Sequence, residues 1–546
     1  MIGYHSVSVI ADAMMKNIKG PNYELLFEAA KHSAMQKDRG LDAYKKQGFI
    51  SIDDYHESVS KTTEYAYDDW CIAQMALKLN KVNDYQYFMK RSQSWKNLFN
   101  PNNTFIQPKL NGGWDKFDPK EVNNNYTEAN GWQYTFFVPH DVETLINYMG
   151  GVEKFEQKLD EMFSTQNTSG RQQVDITGLI GQYAHGNEPS HHFAYLYNLI
   201  GKPEKTKEKI HYILNEFYKN DPDGLIGNED CGQMSAWYVL SAMGIYNICP
   251  GQPNWTTTEP FFDEIKVNFE DGTSKIIKKT EKIDQDFGIN IYQDIDKDFF
   301  YEKIVSVPVI VSESKTFKDK MKIELISNNN NDSVFYMVNE KDKDYSTKDR
   351  VFILYKEPFY LENSSEIIAY VKYDNNQSQE ISATFFKKPN DFSINILSKY
   401  NPQYHAGGPD GLIDGVYGST NWRKGDWQGY QSQNFEAIID LRGEKNITEI
   451  YANFLQDTRS WILMPTKVDF YSSTDGVNFN LVESVSHQVS PKDYESQTLL
   501  LKSKPLSLKA NFIKIIAHNF GKLPEWHQAY PYAGEAFIFV DEVGVR

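Results

Sequence analysis

The sequence predicts a multidomain protein, α-rich up to about residue 250 and β-rich beyond it. Three observations carry this. A length of 546 residues, at roughly 150 per domain, calls for three or four units. Apolar residues recur at three and four spacing through the first part, the period of an amphipathic helix. After Cys249-Pro250 that period stops, and short runs rich in β-branched and aromatic residues begin.

The elements follow in order. From Glu64 to Leu79 (EYAYDDWCIAQMALKL), Tyr65, Ile72, Met75, Ala76 and Leu79 fall on one helical stripe. Similar patterns predict helices at Val142 to Met149, His192 to Leu199, Lys205 to Tyr218 and Met234 to Met243. The connections between them are polar and aromatic-bearing, as in NNNYTEANGW, AHGNEPSHH and DPDGLIGNEDCGQ. Many helices joined by such loops favour an α-rich barrel or solenoid with its site on the loop face. In IKVNFEDGTSKIIKK, Asp271-Gly272 supplies a hairpin turn. The acidic, Lys-rich stretch from 280 to 304 reads as an elaborated linker. From Val307 to Lys388, PVIVSES, MKIELIS, SVFYMVN and EIIAYVKY predict a small sandwich. From 392 to the end, IIDL, EIYANFL, KVDFYSS, FIKIIAH and AFIFVDEVGV predict a second β-domain.

Composition excludes several functions. Fifty-seven Lys+Arg against 74 Asp+Glu give a net charge of −17, and no basic arm offsets it, so a nucleic-acid or anionic-lipid partner is not expected. No run of about 18 apolar residues predicts membrane insertion, and no signal-like segment opens the chain. Cys71, Cys231 and Cys249 form neither a disulfide framework nor a CxxC metal spacing. Aromatics reach 14%, many of them in polar loops, which suits sugars: their C–H faces stack on rings while their hydroxyls hydrogen-bond.

Three loop segments hold the candidate chemistry. In YTEANGWQYTFFVPHD, Glu128 lies between Tyr126 and Trp132, an environment that raises a carboxyl pKa and suits a general acid; it could equally be a carboxylate favouring a helix N-terminus. In DPDGLIGNEDCG, Glu229-Asp230 could be helix caps or a general base holding water, and the EF-hand pattern is not met. AHGNEPSHH gathers His185, Asn187, Glu188, His191 and His192 around Gly186 and Pro189; it lacks HExxH spacing and suits a hard, oxygen-preferring ion such as calcium better than zinc.

Together these segments resemble glycoside hydrolase family 92, the calcium-dependent exo-acting α-mannosidases. The matching strings are GYHSVSVIADAMMK, TTEYAYDDWCIAQMA, YTEANGWQYTFFVPHD, GQYAHGNEPSHHFAYLYNLIGKPEKT and GLIGNEDCGQMSAWYVLSAMGIYNICPGQP. The resemblance implies an (α/α)6 barrel, of which residues 1–300 correspond to the later part, with a preceding segment of the family absent. It implies Glu128 as general acid, Asp230 as general base and an inverting outcome. Glu128 stands in Glu-Ala-Asn-Gly-Trp-Gln, with two small residues exchanged relative to the family, and Asn228 replaces an acid common there. Calcium would lie near Asn187 and Glu188, with Trp132, Gln133, His140 and His185 as sugar or shell contacts. The substrates implied are mannose-containing glycans, of α-1,2 type, and the location is outside a bacterial cell.

Residues 305–390 resemble the small β-domain at the C-terminus of chitobiase-type enzymes. Residues 392–546 resemble discoidin-like (coagulation factor 5/8 type C) domains, allied to carbohydrate-binding module family 32, through LIDGVYGSTNW, DWQGYQ, AIIDLRG and FVDEVGV. That likeness implies a structural calcium held by Asp414, Thr420 and Glu542, and Trp427, Tyr430 and Trp461 as exposed rings for sugars. A second expectation is a non-catalytic carbohydrate-binding chain acting through this last domain.

Overall fold

A computed structural model describes residues 2–166, 176–281, 283, 290–291, 301–329, 331–340 and 350–546. By their internal contacts the residues divide into two compact units, Met1–Val309 with Ile326–Phe335 and Tyr370–Ile381, and Ile310–Leu325 with Tyr336–Ala369 and Ser382–Arg546. Most of the expected 280–304 linker lies outside the described residues.

The first unit is helical: α1 (Ser6–Met15), α2 (Tyr23–Ala34), α3 (Leu41–Gln47), α4 (Ser58–Lys78), α5 (Val82–Arg91), α6 (Gly131–Phe136), α7 (Val142–Tyr148), α8 (Val152–Ser164), α9 (Leu196–Leu199), α10 (Pro203–Glu216) and α11 (Gln233–Ala242). The hairpin at Asp271-Gly272 joins Glu264–Asn268 to Ser274–Lys278.

Helix α4 is the centre of the core. The expected amphipathic stripe accounts for only one side of it: every residue from Ser58 to Ala73 is buried, polar ones included. Its apolar side packs Trp70, Ile72 and Met75 against Val7, Ala11 and Met14 of α1, Phe27 and Ala30 of α2, and Phe88 of α5. Each such side chain contributes about 1.5–3 kcal/mol on burial. Its polar side is satisfied internally. Asp69 accepts from Arg91 Nε at 2.8 Å, Tyr4 OH at 2.8 Å and Tyr44 OH at 3.1 Å, which meets the requirement that a buried charge be paired and fully hydrogen-bonded. His5 lies between Asp68, 3.0 Å from its Nδ1, and Glu64. Those two carboxylates raise its pKa well above the ordinary value although burial opposes them.

The described residues between 309 and 387 form two small sheets. One has the order Val309–Val311, Met321–Ile326, Phe359–Leu361, and the other runs Thr316–Phe317, Ile381–Lys387, Ser365–Tyr373, Ser333–Glu340, Ile353–Leu354.

The bulk of the second unit is a two-sheet sandwich. One sheet orders Ser393–Ile396, Phe435–Ile447, Leu508–Ala517, Val468–Ser473 and Asn480–Val485; the other orders Gln428–Gln431, Phe537–Val545, Ile450–Gln456 and Gln497–Lys502. Phe435, Ala437, Ile439 and Leu441 alternate inward and meet Phe454, Ile538 and Val540 of the facing sheet, the two-residue period of a strand with one buried face.

This packing corrects one expectation. Trp427 and Tyr430 are not exposed rings: they are 1% and 0% exposed. Trp427 donates its Nε1–H to the Ser419 carbonyl at 2.8 Å and Tyr430 its hydroxyl to Gln428 at 2.6 Å. Both lie at a strand buried on its two faces, so their rings fill the core. Trp461 is half-buried against Leu463.

Candidate active site

Three loops of the helical unit converge. The first carries Glu128, whose own backbone is left-handed at φ 50°. It leads into α6, capped by Asn130, which accepts from the amides of Trp132 and Gln133, while Gln133 returns a bond to the Asn130 amide to close a capping box. Glu128 is therefore two residues outside the cap and is not itself the capping group.

The second loop is Ala184 to Ser190. Asn187 Nδ2 donates to the Glu128 carbonyl at 3.1 Å, which ties this loop to the first.

The third loop precedes α11. Glu229 accepts from the Ser235 amide at 3.1 Å and its hydroxyl at 2.8 Å, and so serves the first turn of α11 as a cap. Asp230, Cys231 and Gly232 then run left-handed at φ 47°, 60° and 90°. A non-glycine residue in that region costs about 1–3 kcal/mol, a cost concentrated where surrounding structure over-determines the chain. Of the pair Glu229-Asp230, one carboxylate caps the helix and the other is exposed.

A close backbone approach brings the second and third loops together. A Cβ on Gly227 would lie 2.8 Å from Gly186 Cα and 3.0 Å from its carbonyl oxygen, so only glycine allows this contact. The consequence is electrostatic. Burial first, then the hydrogen bond and charge of Asp230, then the charge of Glu128, raise Glu188 to about 7. Glu128, Glu188 and Asp230, three of the acids singled out in the sequence, thus form one group.

The residues expected as sugar or shell contacts lie around them as follows. Trp132 is buried edge-on to Phe105, with Lys158 Nζ 4.8 Å from its ring centroid. Gln133 spends its amide on the Gln182 carbonyl at 2.8 Å. His140 stacks on Tyr67, bonds to the Ser92 carbonyl through Nε2 at 2.9 Å, and is pushed down to about 4 by burial. His185 is fully buried, with Tyr183 OH 2.8 Å from Nδ1 and Tyr218 OH 2.7 Å from Nε2. Gln133 and His185 support the loops from inside, with both polar atoms of each bonded to the protein, whereas Trp132 Nε1 and His140 Nδ1 are buried without a protein partner.

In the sandwich, Asp414, Asp541 and Glu542 come together. Burial, then the charges of Asp414 and Asp541, raise Glu542 to about 9, and burial raises Asp541 to about 7 and Asp414 to about 6. Gly415 and Gly418 amides donate to Glu542 and Asp541. Thr420 lies exposed on the same loop. Sequence reasoning missed Asp541; its position beside Glu542 in the last strand was the available signal. Among the described residues, no group of three or more His, Cys, Asp and Glu is arranged to hold a metal by itself.

The family model for the glycosyl hydrolase family 92 catalytic domain matches residues 1–298. This chain belongs to glycosyl hydrolase family 92. A curated relative, an uncharacterized secreted glycosidase of Arthroderma benhamiae, is 29% identical over 307 residues, 48% of this chain and 38% of its own length. A family 92 α-mannosidase of Bacteroides thetaiotaomicron is 42% identical over 51% of this chain and 38% of its own, with a TM-score of 0.48. A family 92 inverting mannosidase of the same species is 35% identical over 52% of this chain and 41% of its own, with a TM-score of 0.46. The family 92 chain described here thus spans about two fifths of each of these proteins. Among its described residues, no helix is long and apolar enough to cross a membrane.

Proposed function

We propose that this family 92 chain carries the catalytic carboxylates of an exported, inverting exo-α-mannosidase that removes terminal α-1,2-type mannose from glycans. The observation that carries the reading is the gathering of Glu128, Glu188 and Asp230, with Glu188 lifted to about 7 by burial first and then by these neighbours. Glu128 protonates the departing glycosidic oxygen. Asp230 takes a proton from water on the opposite face of the ring, which inverts the anomeric centre when the two groups stand about 6.5–9.5 Å apart. The kinship of two solved mannosidases supports the sugar, and the secreted relative supports export.

The donor set at Asn187 and Glu188 is oxygen-rich and sulfur-free, which fits calcium. A cation there would offset the repulsion that lifts Glu188, with backbone carbonyls, waters and sugar hydroxyls completing its shell. When bound it would polarise those hydroxyls. In the sandwich, Asp414, Thr420 and Glu542 together with nearby backbone carbonyls would hold a structural calcium, again an oxygen-only donor set. With Trp427 and Tyr430 in the core, sugar stacking on this discoidin-like domain falls to exposed rings such as Tyr530 and Tyr532, 48% and 79% exposed.

The test is mannose release from α-linked mannobioses in calcium, with the first-formed anomer followed by NMR. The expected product is β-mannose, released fastest from the α-1,2 disaccharide. Glu128→Gln and chelation each abolish it. α-Mannose as first product, or full activity in Glu128→Gln, would overturn the reading. Sugar binding without any turnover would favour the carbohydrate-binding alternative.

A further inference from the structure

The loop that carries Glu128 is held by the first turn of α4. The amides of Glu57 and Val59 donate to the carbonyls of Asn124 and Asn125 at 2.7 and 3.2 Å, and the Ser60 amide reaches the Asn125 carbonyl at 3.4 Å. The Ser58 hydroxyl donates to Asn125 Oδ1 at 3.1 Å. No side chain caps α4, so these carbonyls supply the partners that the free N–H groups of a helix start require.

Ser60 adds a side-chain link just ahead of the acid in sequence. Its Oγ accepts the Thr127 amide at 2.9 Å, immediately before Glu128. On the far side of the acid, Tyr134 of α6 donates to Glu64 Oε1, one turn along α4 from Ser60, at 2.6 Å. Ser60, Tyr134 and Glu64 are all buried, so the link is shielded from competing water. Between Thr127 and the Asn130 cap, Glu128 is the residue forced left-handed.

We propose that Ser60 is a positioning residue for the general acid: its hydroxyl fixes the Thr127 amide and thereby aims the Glu128 carboxyl. The proposal rests on Glu128 being that acid. A misaimed acid harms only reactions whose leaving group needs a proton, and a displacement of about 1 Å costs up to roughly a hundredfold. The role therefore has a signature that a merely structural residue lacks.

The experiment compares methyl α-mannoside, a poor leaving group, with 2,4-dinitrophenyl α-mannoside, which departs unaided, on the full chain with calcium. Ser60→Ala is expected to lower kcat on the methyl glycoside by roughly tenfold or more, with KM unchanged and the dinitrophenyl rate within about twofold. Ser60→Thr, which keeps the hydroxyl, restores the rate. Glu128→Gln shows the same asymmetry on a larger scale. If Glu128→Gln is asymmetric and Ser60→Ala is not, the positioning role is wrong and the acid stands. If Glu128→Gln slows both substrates equally, the acid assignment fails and the proposal with it. Hydrogen exchange supplies a readout independent of turnover. Ser60→Ala should speed exchange in residues 122–130 and leave 62–78 protected; unchanged exchange at 122–130, or loss of protection along all of α4, would overturn it.

Discussion

At the scale of the residue, the site depends on a few atoms that are missing as much as on those present. Gly227 has no Cβ where one would meet the backbone of Gly186, and this absence lets the loop of Asp230 close on that of Glu188. Gly227→Ala should push the loops apart and let Glu188 titrate closer to an ordinary carboxyl than its present value of about 7. NMR titration of the Glu188 side chain checks this, and a titration point unmoved by the substitution would show that the glycine contact does not set the pair. Glu128, Glu188 and Asp230 could be singled out in the sequence as acids in Gly- and Asn-rich loops, but the residues alone left helix-capping uses open for Glu128 and Asp230, and the roles came from the family resemblance. For Trp132, His140 and His185 the sequence left sugar and shell contacts as alternatives, because residue type does not reveal the direction of a side chain. Ser60 and Glu64 were invisible for the opposite reason: their roles follow from contacts with residues about 70 positions away.

At the scale of the element, the predicted helices at 142, 205 and 234 occur as α7, α10 and α11, since each carries an apolar stripe of the right period. Periodicity says less about α4, whose polar side is as buried as its apolar one. A smaller element has a measurable cost. The hairpin Lys109–Leu110 with Gly113–Trp114 buries the Lys109 amine over the rings of Trp114 and Phe49, at 4.8 and 5.1 Å, with the Pro308 carbonyl 3.4 Å away. Burial pulls its pKa from 10.5 down to about 7. The folded chain therefore favours the neutral amine, and between pH 7 and 10.5 the unfolded chain binds the extra proton, so stability rises with pH across that window. Below pH 7 both states are protonated and the full penalty applies. Lys109→Met should raise stability at pH 7 by on the order of 3 kcal/mol and flatten the slope between pH 7 and 9 in thermal melts. A lower melting temperature, or an unchanged slope, would place the cost elsewhere.

At the scale of the whole molecule, the two units contain separate carboxylate groups in a chain of net charge −17. Their response to calcium should be separable. Chelation is expected to lower the melting transition of the sandwich, and Glu542→Gln, which removes one of three mutually repelling acids, should remove most of that sensitivity without touching the helical unit. Calorimetry with and without calcium decides it, and a sandwich transition indifferent to chelator in the native chain would reject a structural ion there. The change from helices to strands after Cys249-Pro250 was readable from composition. The interior position of Trp427 and Tyr430 was not, because in DWQGYQ both faces of the strand are covered and the alternation that marks an exposed face is missing.

The capping of α4 by main-chain carbonyls has an evolutionary corollary. A carbonyl is the same in every residue, so the capping bond by itself does not depend on residue identity at position 124. What cannot drift is the count of residues between that carbonyl and Glu128: one insertion or deletion there would keep the helix capped and carry the acid off target. Selection on this loop should therefore fall on its length before its spelling.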